Sequence, residues 1–373
     1  MVIGVPKEIM EYEYRVGLVP AGVKQLVEDG HRVLIEKGAG LGSNIPDGAY
    51  TRVGGEIVQR AADVYRRAEL VARVKEPPES QWRYLRSGQG VFCFFHFAAN
   101  PPLLKAMLKL KVTSIAYETV EDFEGRLPLL TPMSEVAGRM AVQEGAKCLE
   151  RPMEGRGILL GGVPGVSPAR VVVLGGGVVG SNAARVAAGL GARVVIMDIN
   201  LDRLRYLADV MPANVSTEMS DWLAVESAVA QADLVIGAAL RHGARAPILV
   251  THRMLKKMRK GSVVVDVAID QGGCTEGSRP TTHGHPTFCL NGVVYYGVTN
   301  MPGAVAGTST YALTNATFPY VRRIAEEGIK EAAVNHRPIA MGINAAGGRV
   351  TYPALAEIVK TRAVPIEAAL KGA

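Results

Sequence analysis

Residues 170–198 read RVVVLGGGVVGSNAARVAAGLGARVVIMD. A short β-branched run, RVVVL, is followed by three glycines, then by an alanine-rich stretch with helical spacing, then by a second β-branched run that ends on Asp198. The order strand–turn–helix–strand is the context that gives G-x-G-x-x-G meaning, and Gly175, Gly177 and Gly180 stand at its three positions with Val178 and Val179 between them. Each glycine answers a separate steric demand. Gly175 permits the tight turn, Gly177 lets a pyrophosphate approach the backbone, and Gly180 lets the helix lie close on the sheet. The free N–H groups and positive dipole end of the helix then face the phosphates. Asp198 ends the second strand about twenty residues beyond the turn, where a carboxylate accepts the hydroxyls of an adenosine ribose. The stretch therefore predicts a Rossmann domain that binds a dinucleotide. It favours NAD over NADP, because a 2′-phosphate beside Asp198 would be repelled by ~1–4 kcal/mol. Arg203 can offset part of that charge; its alternative reading is a solvated helix residue. A second glycine cluster, Gly38 to Gly42, has the wrong spacing and is soon interrupted by Pro46, so it reads as a turn.

Outward from this stretch the same alternation continues. ADLVIGAAL, SVVVDVAID and VVYYGVTN read as further strands after NVSTE, mostly separated by helical patterns. The first third repeats the arrangement, with VIGVPKE, RVLIEKG, LVARVKE, GVFCFFH and VTSIAYE as strands, and PAGVKQLVEDG and NPPLLKAMLKL as helices opened by proline. Alternation of this kind implies α/β architecture with mostly parallel sheets. At 373 residues, two domains are expected. The reading is a Rossmann dinucleotide domain over 131–306 and a discontinuous Rossmann-like substrate domain over 1–130 and 307–373. The helix that follows Ser134, read as its N-cap, crosses between them, and the long stretch after Pro302 reads as one helix leading back. The Gly- and Pro-rich residues 151–168 read as loop.

Composition bounds the function class. Hydrophobic residues make up 48% and charged residues 21%, the profile of a packed globular protein. The formal charge is +7, but Lys and Arg are scattered with no long run of like charge, so neither nucleic acid nor a membrane surface is indicated as partner. No signal-like start and no long apolar span are found. Four cysteines without a C-x-x-C pair fit reduced thiols in a cytoplasmic protein. His283, His285 and Cys289 lack an evident fourth ligand, so no metal is expected.

In doubly wound sheets, ligands gather outside the carboxyl ends of the strands. The polar residues expected there are Lys75 and His96 in the first domain, and Asp198, Asp270 and Asn300 in the second; Arg15 reaches the same mouth from a loop. Two facing sheets would set Lys75 and His96 opposite Asp270 and Asn300 across one cleft. Each has a plainer reading: Lys75 as a solvated side chain, His96 as a core histidine, Asp270 as a turn cap.

The segments KEIMEYEYRVGLVPAGV, GHRVLIEKGAGLGS, VKEP, FCFFHFA, LPLLTPMSEVAGRMAVQEGA, LGGGVVG, AIDQGG, GVTNMPGAVA and TYPALAEIV resemble the alanine dehydrogenase family over essentially the whole chain. That family shares its fold with the NAD-binding subunit of proton-translocating transhydrogenase. The resemblance implies that Arg15 and Lys75 bind the substrate and that His96 and Asp270 are the catalytic acid/base residues. It implies NAD contacts from Ser134, Val178, Val179, Asp198, Arg203, Ser220, Ala239, Leu240, Val267, Ala268, Ile269, Asp270, Arg279, Val298, Thr299, Asn300 and Met301, besides the glycines. Arg203 stands where lysine is common in the family, and Phe94 where tyrosine is common. The implied substrates are L-alanine, pyruvate and ammonium, the implied assembly a homohexamer. Leu130, Met133 and Phe94 are expected to wall a small methyl pocket. A transhydrogenase subunit or a non-catalytic NAD-binding regulator are the competing readings.

Overall fold

The computed structural model describes residues 1–239 and 246–371. The chain divides into two compact units, Met1–Met133 with Gly303–Ala373, and Ser134–Pro302. In the first unit an eight-stranded sheet is built from β1 (Val2–Val5), β2 (Arg32–Glu36), β3 (Glu56–Val58), β4 (Leu70–Lys75), β5 (Gly90–Phe94) and β6 (Thr113–Ala116). In the second, β7 (Arg170–Leu174), β8 (Arg193–Asp198), β9 (Val215–Met219), β10 (Leu234–Gly237), β11 (Val263–Asp266), β12 (Thr287–Leu290) and β13 (Val293–Tyr296) form a seven-stranded sheet. β14 (Ile343–Ala346) and β15 (Arg349–Val350) return to the first sheet.

The two parallel cores share one strand order. The first runs β3-β2-β1-β4-β5-β6 and the second β9-β8-β7-β10-β11-β13. Both are the doubly wound 3-2-1-4-5-6 order, which reverses direction between β1 and β4 and again between β7 and β10. The central strands are buried and mostly apolar because helices cover both faces. Val91, Phe92 and Cys93 are fully buried, as are Val263, Val264 and Val265. Burying one such aliphatic or aromatic side chain contributes roughly 1.5–3 kcal/mol.

The structure departs from the sequence reading where short elements and ends are concerned. β3, β12, β14 and β15 were not anticipated; β12, β14 and β15 pair antiparallel at sheet edges and are two to four residues long. SVVVDVAID is strand only to Asp266, and its last residues wind into a 3₁₀ turn, Val267–Gln271. VVYYGVTN ends as strand at Tyr296. Ser134 is not a helix cap: the helix already begins at Thr131 and runs to Cys148. The long helix after Pro302 spans Ala306–Glu327 and is broken from the next, Ile329–Asn335, by Gly328 at φ +85°.

Candidate active site

In the second unit, the glycine turn sits at the switch point. Gly175 has φ +105°, and a Cβ there would lie 2.8 Å from the carbonyl oxygen of Ala238, the residue after β10. A Cβ on Gly180 would collide with the Gly175 carbonyl oxygen, whereas one on Gly177 would meet nothing within 4 Å. The first and third glycines are thus required by the protein's own packing. The second faces open space at the N-terminus of the helix Val178–Gly189, where a phosphate fits.

Asp198 ends β8 and accepts the N–H of Gly176 at 2.6 Å on Oδ2 and that of Asn200 at 2.8 Å on Oδ1. Each carboxylate oxygen keeps lone-pair capacity for a ribose hydroxyl. Arg203 is not merely solvated: its Nε donates to the Gly176 carbonyl at 2.6 Å, and its guanidinium lies over the Tyr206 ring. Gly176 is therefore gripped at both its N–H and its carbonyl. A Cβ on Gly138, in the helix Thr131–Cys148, would strike the Val179 carbonyl oxygen, so that helix, which carries the partly buried Ser134, buttresses the turn.

The remaining predicted contacts lie at neighbouring strand ends. Ser220 follows β9 and donates its N–H to the Asp198 carbonyl at 3.0 Å. Ala239 follows β10; Leu240 lies outside the described residues. Val267, Ala268, Ile269 and Asp270 form the 3₁₀ turn after β11, which buries Ala268 and Ile269 and exposes Asp270. Among the described residues, no hydrogen bond or ion pair engages the Asp270 carboxylate. Val298 and Met301 are buried, Thr299 donates its N–H to the Thr281 carbonyl, and Asn300 has φ +57° with its carbonyl 3.4 Å from His283 Nε2. Arg279 is exposed and lies over the Phe288 ring at 4.2 Å.

In the first unit, the cations flank the other switch point. Lys75 is the last residue of β4, in register with Phe94 of β5. Arg15 follows β1 by a loop, and a Cβ on Gly17 would lie 2.9 Å from the Arg73 Cα, so this loop runs against β4. Arg15 is buried; Nε and Nη2 bond Glu13 at 2.7 and 2.5 Å, and Nη1 is 3.0 Å from Met133 Sδ. Lys75 is half-buried, and among the described residues no carboxylate forms an ion pair with it. His96 lies two residues past β5. It is exposed, which rules out the core-histidine reading, and its ring stacks at 7° on Phe94 with centroids 5.7 Å apart. Phe94 is buried with Met133, and Leu130 is partly so.

Models of two family domains match this chain, Alanine dehydrogenase/PNT N-terminal over residues 4–137 and C-terminal over 141–353. The chain belongs to the alanine dehydrogenase/PNT family. It is similar to an alanine dehydrogenase of Methanococcus maripaludis, 52% identical over 99% of this chain and 100% of that one. One from Bacillus subtilis is 53% identical over 100% and 98%. A solved L-alanine dehydrogenase superposes with TM-score 0.94 at 50% identity over 96% of this chain and 99% of its own. A transhydrogenase from Sinorhizobium meliloti superposes at 0.81 with 27% identity, covering 95% and 100%.

Three carboxylates of this family member escaped the sequence reading. Asp266 is buried and accepts Cys274 N–H at 3.0 Å, Thr275 N–H at 3.1 Å and Ser278 Oγ–H at 2.6 Å, holding the loop that leads to Arg279. Glu8 accepts the N–H groups of Val74 and Lys75, and Glu118 those of Phe95 and His96. A candidate signal was present: an acid inside or directly after an apolar strand.

Proposed function

We propose that this chain catalyses the NAD-dependent oxidative deamination of L-alanine: L-alanine, NAD and water give pyruvate, ammonium, NADH and a proton. The observation that carries this reading is the first unit's pair of cations, Lys75 at the end of β4 and Arg15 on the loop after β1, the two strands that flank a switch point, with His96 just past the end of the neighbouring β5. Full-length relatives at about half identity that carry this activity support it. NAD fits the second unit: the glycine turn and helix N-terminus would hold the pyrophosphate, and Asp198 the adenosine ribose. When bound, NAD supplies the hydride acceptor.

Arg15 and Lys75 bind the substrate carboxylate and carbonyl. Glu13 already offsets much of the Arg15 charge, so Lys75 supplies the stronger attraction and Arg15 the orientation. Met133, Leu130 and Phe94 exclude water from the methyl group. Hydride leaves only a neutral amine, so His96 takes the ammonium proton first; a ring with reference pKa ~6.5 suits repeated transfer near neutrality. Water then adds to the iminium, and Asp270 is assigned the acceptance of its proton. By family resemblance the assembly is a homohexamer in the cytoplasm.

The test is NADH absorbance with pyruvate and ammonium. Turnover with NADH and little with NADPH is expected. Lys75→Ala should lower kcat/KM for pyruvate by about 10²-fold or more, with NADH binding within about twofold, since the phosphates rest elsewhere. NADH binding without turnover on any amino acid identifies a regulator, and hydride transfer only to a second nucleotide identifies a transhydrogenase subunit. Equal efficiency with NADPH overturns the cofactor assignment.

A further inference from the structure

Two strand ends in the first unit are tied by the same device. Parallel pairing of β5 with β6 stops at Cys93 and Ala116, leaving the next N–H groups without a ladder acceptor. β6 turns at that point into a 3₁₀ turn, Tyr117–Thr119, and its Glu118 side chain takes over. Oε1 accepts the His96 N–H at 2.6 Å and Oε2 the Phe95 N–H at 3.3 Å. Glu8 does the same at the neighbouring strand end, accepting Val74 N–H at 2.7 Å and Lys75 N–H at 3.3 Å. Lys75 and His96, the two residues with a proposed role at these strand ends, thus each have their own backbone N–H held by a carboxylate from another segment.

The tie at His96 answers a conformational demand. His96 has φ +50°, in the left-handed region that non-glycine residues seldom occupy. This reversal lets Phe95 and Phe97 both be buried, stacked with centroids 4.5 Å apart, while the imidazole between them faces outward against Phe94. Residues held in sparsely populated backbone regions persist only where the surroundings over-determine them. Glu118 supplies that constraint through two charge-assisted bonds. Burial raises the Glu118 pKa, while the N–H donors and the Lys75 charge pull it down; Cys93 also lies within electrostatic range.

We propose that Glu118 is a positioning residue for the reaction: its carboxylate replaces the missing ladder, fixes the left-handed turn and so aims the His96 imidazole. The inference rests on His96 as the acid/base group. Two substitutions separate reach from charge. Glu118→Asp keeps the charge but withdraws the oxygens by one bond, about 1.5 Å. Glu118→Gln keeps the reach and one carbonyl acceptor but loses the charge.

Glu118→Asp is expected to lower kcat by about 10–100-fold with pyruvate KM within about threefold, and Glu118→Gln by less than about fivefold. In a His96→Ala background, Glu118→Asp should cost less than about twofold further, because the group it positions is gone. Hydrogen exchange in residues 94–100 should quicken in the aspartate variant while the rest of the chain is unchanged. If that variant does not fold, the glutamine variant carries the test, with faster exchange at one of the two amides. Near-normal kcat for Glu118→Asp, a full further loss in the His96→Ala background, a larger loss for Gln than for Asp, or unchanged exchange each overturns the proposal. Full activity of His96→Ala with NADH bound would instead remove His96 from the reaction; the exchange result would still stand on its own.

Discussion

His96 occupies a backbone conformation that costs an L-residue roughly 1–2 kcal/mol, because its Cβ crowds the following carbonyl oxygen. Glycine has no such penalty. His96→Gly and His96→Ala should therefore both lose about 10²-fold or more in turnover, but the glycine variant should be the more stable by about 1 kcal/mol. Thermal unfolding of the pair with parallel kcat measurements checks this, and equal midpoints would mean that the turn relaxes in the variants. The sequence placed His96 past the end of an apolar strand and could not choose between a core and a reactive histidine. The choice depends on where Phe95 and Phe97 pack and on a carboxylate 22 residues away.

At the end of β4, an entire buried network stands behind one lysine. Arg73 is 1% exposed; it donates to Glu8 at 2.6 Å, to the Tyr65 hydroxyl at 2.5 Å and to Gln81 at 3.0 Å. Burial alone would pull the Arg73 pKa down, but Glu8, Tyr65 and Cys93 around it together outweigh that effect and keep the guanidinium charged. Glu8 in turn ties Lys75. Removing one member of a buried pair strands the other charge, so Arg73→Met should cost about 3–5 kcal/mol. The pair Glu8→Gln with Arg73→Met should recover much of that loss in thermal unfolding, yet raise the pyruvate KM because a neutral amide oxygen holds the Val74 and Lys75 N–H groups more weakly than the carboxylate does. No recovery in the double variant would mean that packing around Tyr65, rather than charge, supports the strand. An arginine within LVARV reads locally as a solvent-facing position; its interior role depends on Glu8, 65 residues earlier in the chain.

At the scale of the molecule, burial holds several described carboxyls above their ordinary pKa, among them Glu36, Glu118 and Glu144. For Glu144, desolvation is the main cause and the His283 charge opposes it. A carboxyl whose folded pKa exceeds its unfolded one binds protons more tightly when folded. Its stabilising contribution is full below the unfolded value and is lost as pH rises through the folded value. Glu144→Gln, which cannot ionise, should therefore raise the unfolding midpoint at pH 8, with the gain fading towards pH 4. A gain independent of pH would trace to packing rather than ionisation. The same scale shows the economy of the architecture: both sheets wind in one order, with one switch point between β1 and β4 and the other between β7 and β10.

What the sequence determined by itself was whatever short-range chemistry can encode. The glycine turn, the β-branched strands that flank it, Asp198 at a strand end and the positions of Lys75 and His96 all follow from spacing within a few tens of residues. Alternating strands and helices were enough for two doubly wound sheets, since parallel pairing needs helical crossovers. Tertiary structure alone decided how those side chains are held. Arg203 and Asp198 grip the carbonyl and the N–H of one residue, Gly176, Asp266 gathers a loop, and Glu8 and Glu118 cap strand ends that have run out of ladder partners. The short antiparallel strands β12, β14 and β15 also came only from the fold, because their pairing partners, not their own sequence, make them strands. A buried carboxylate is stable only where several donors converge, and that convergence exists only once segments distant in the chain have packed together.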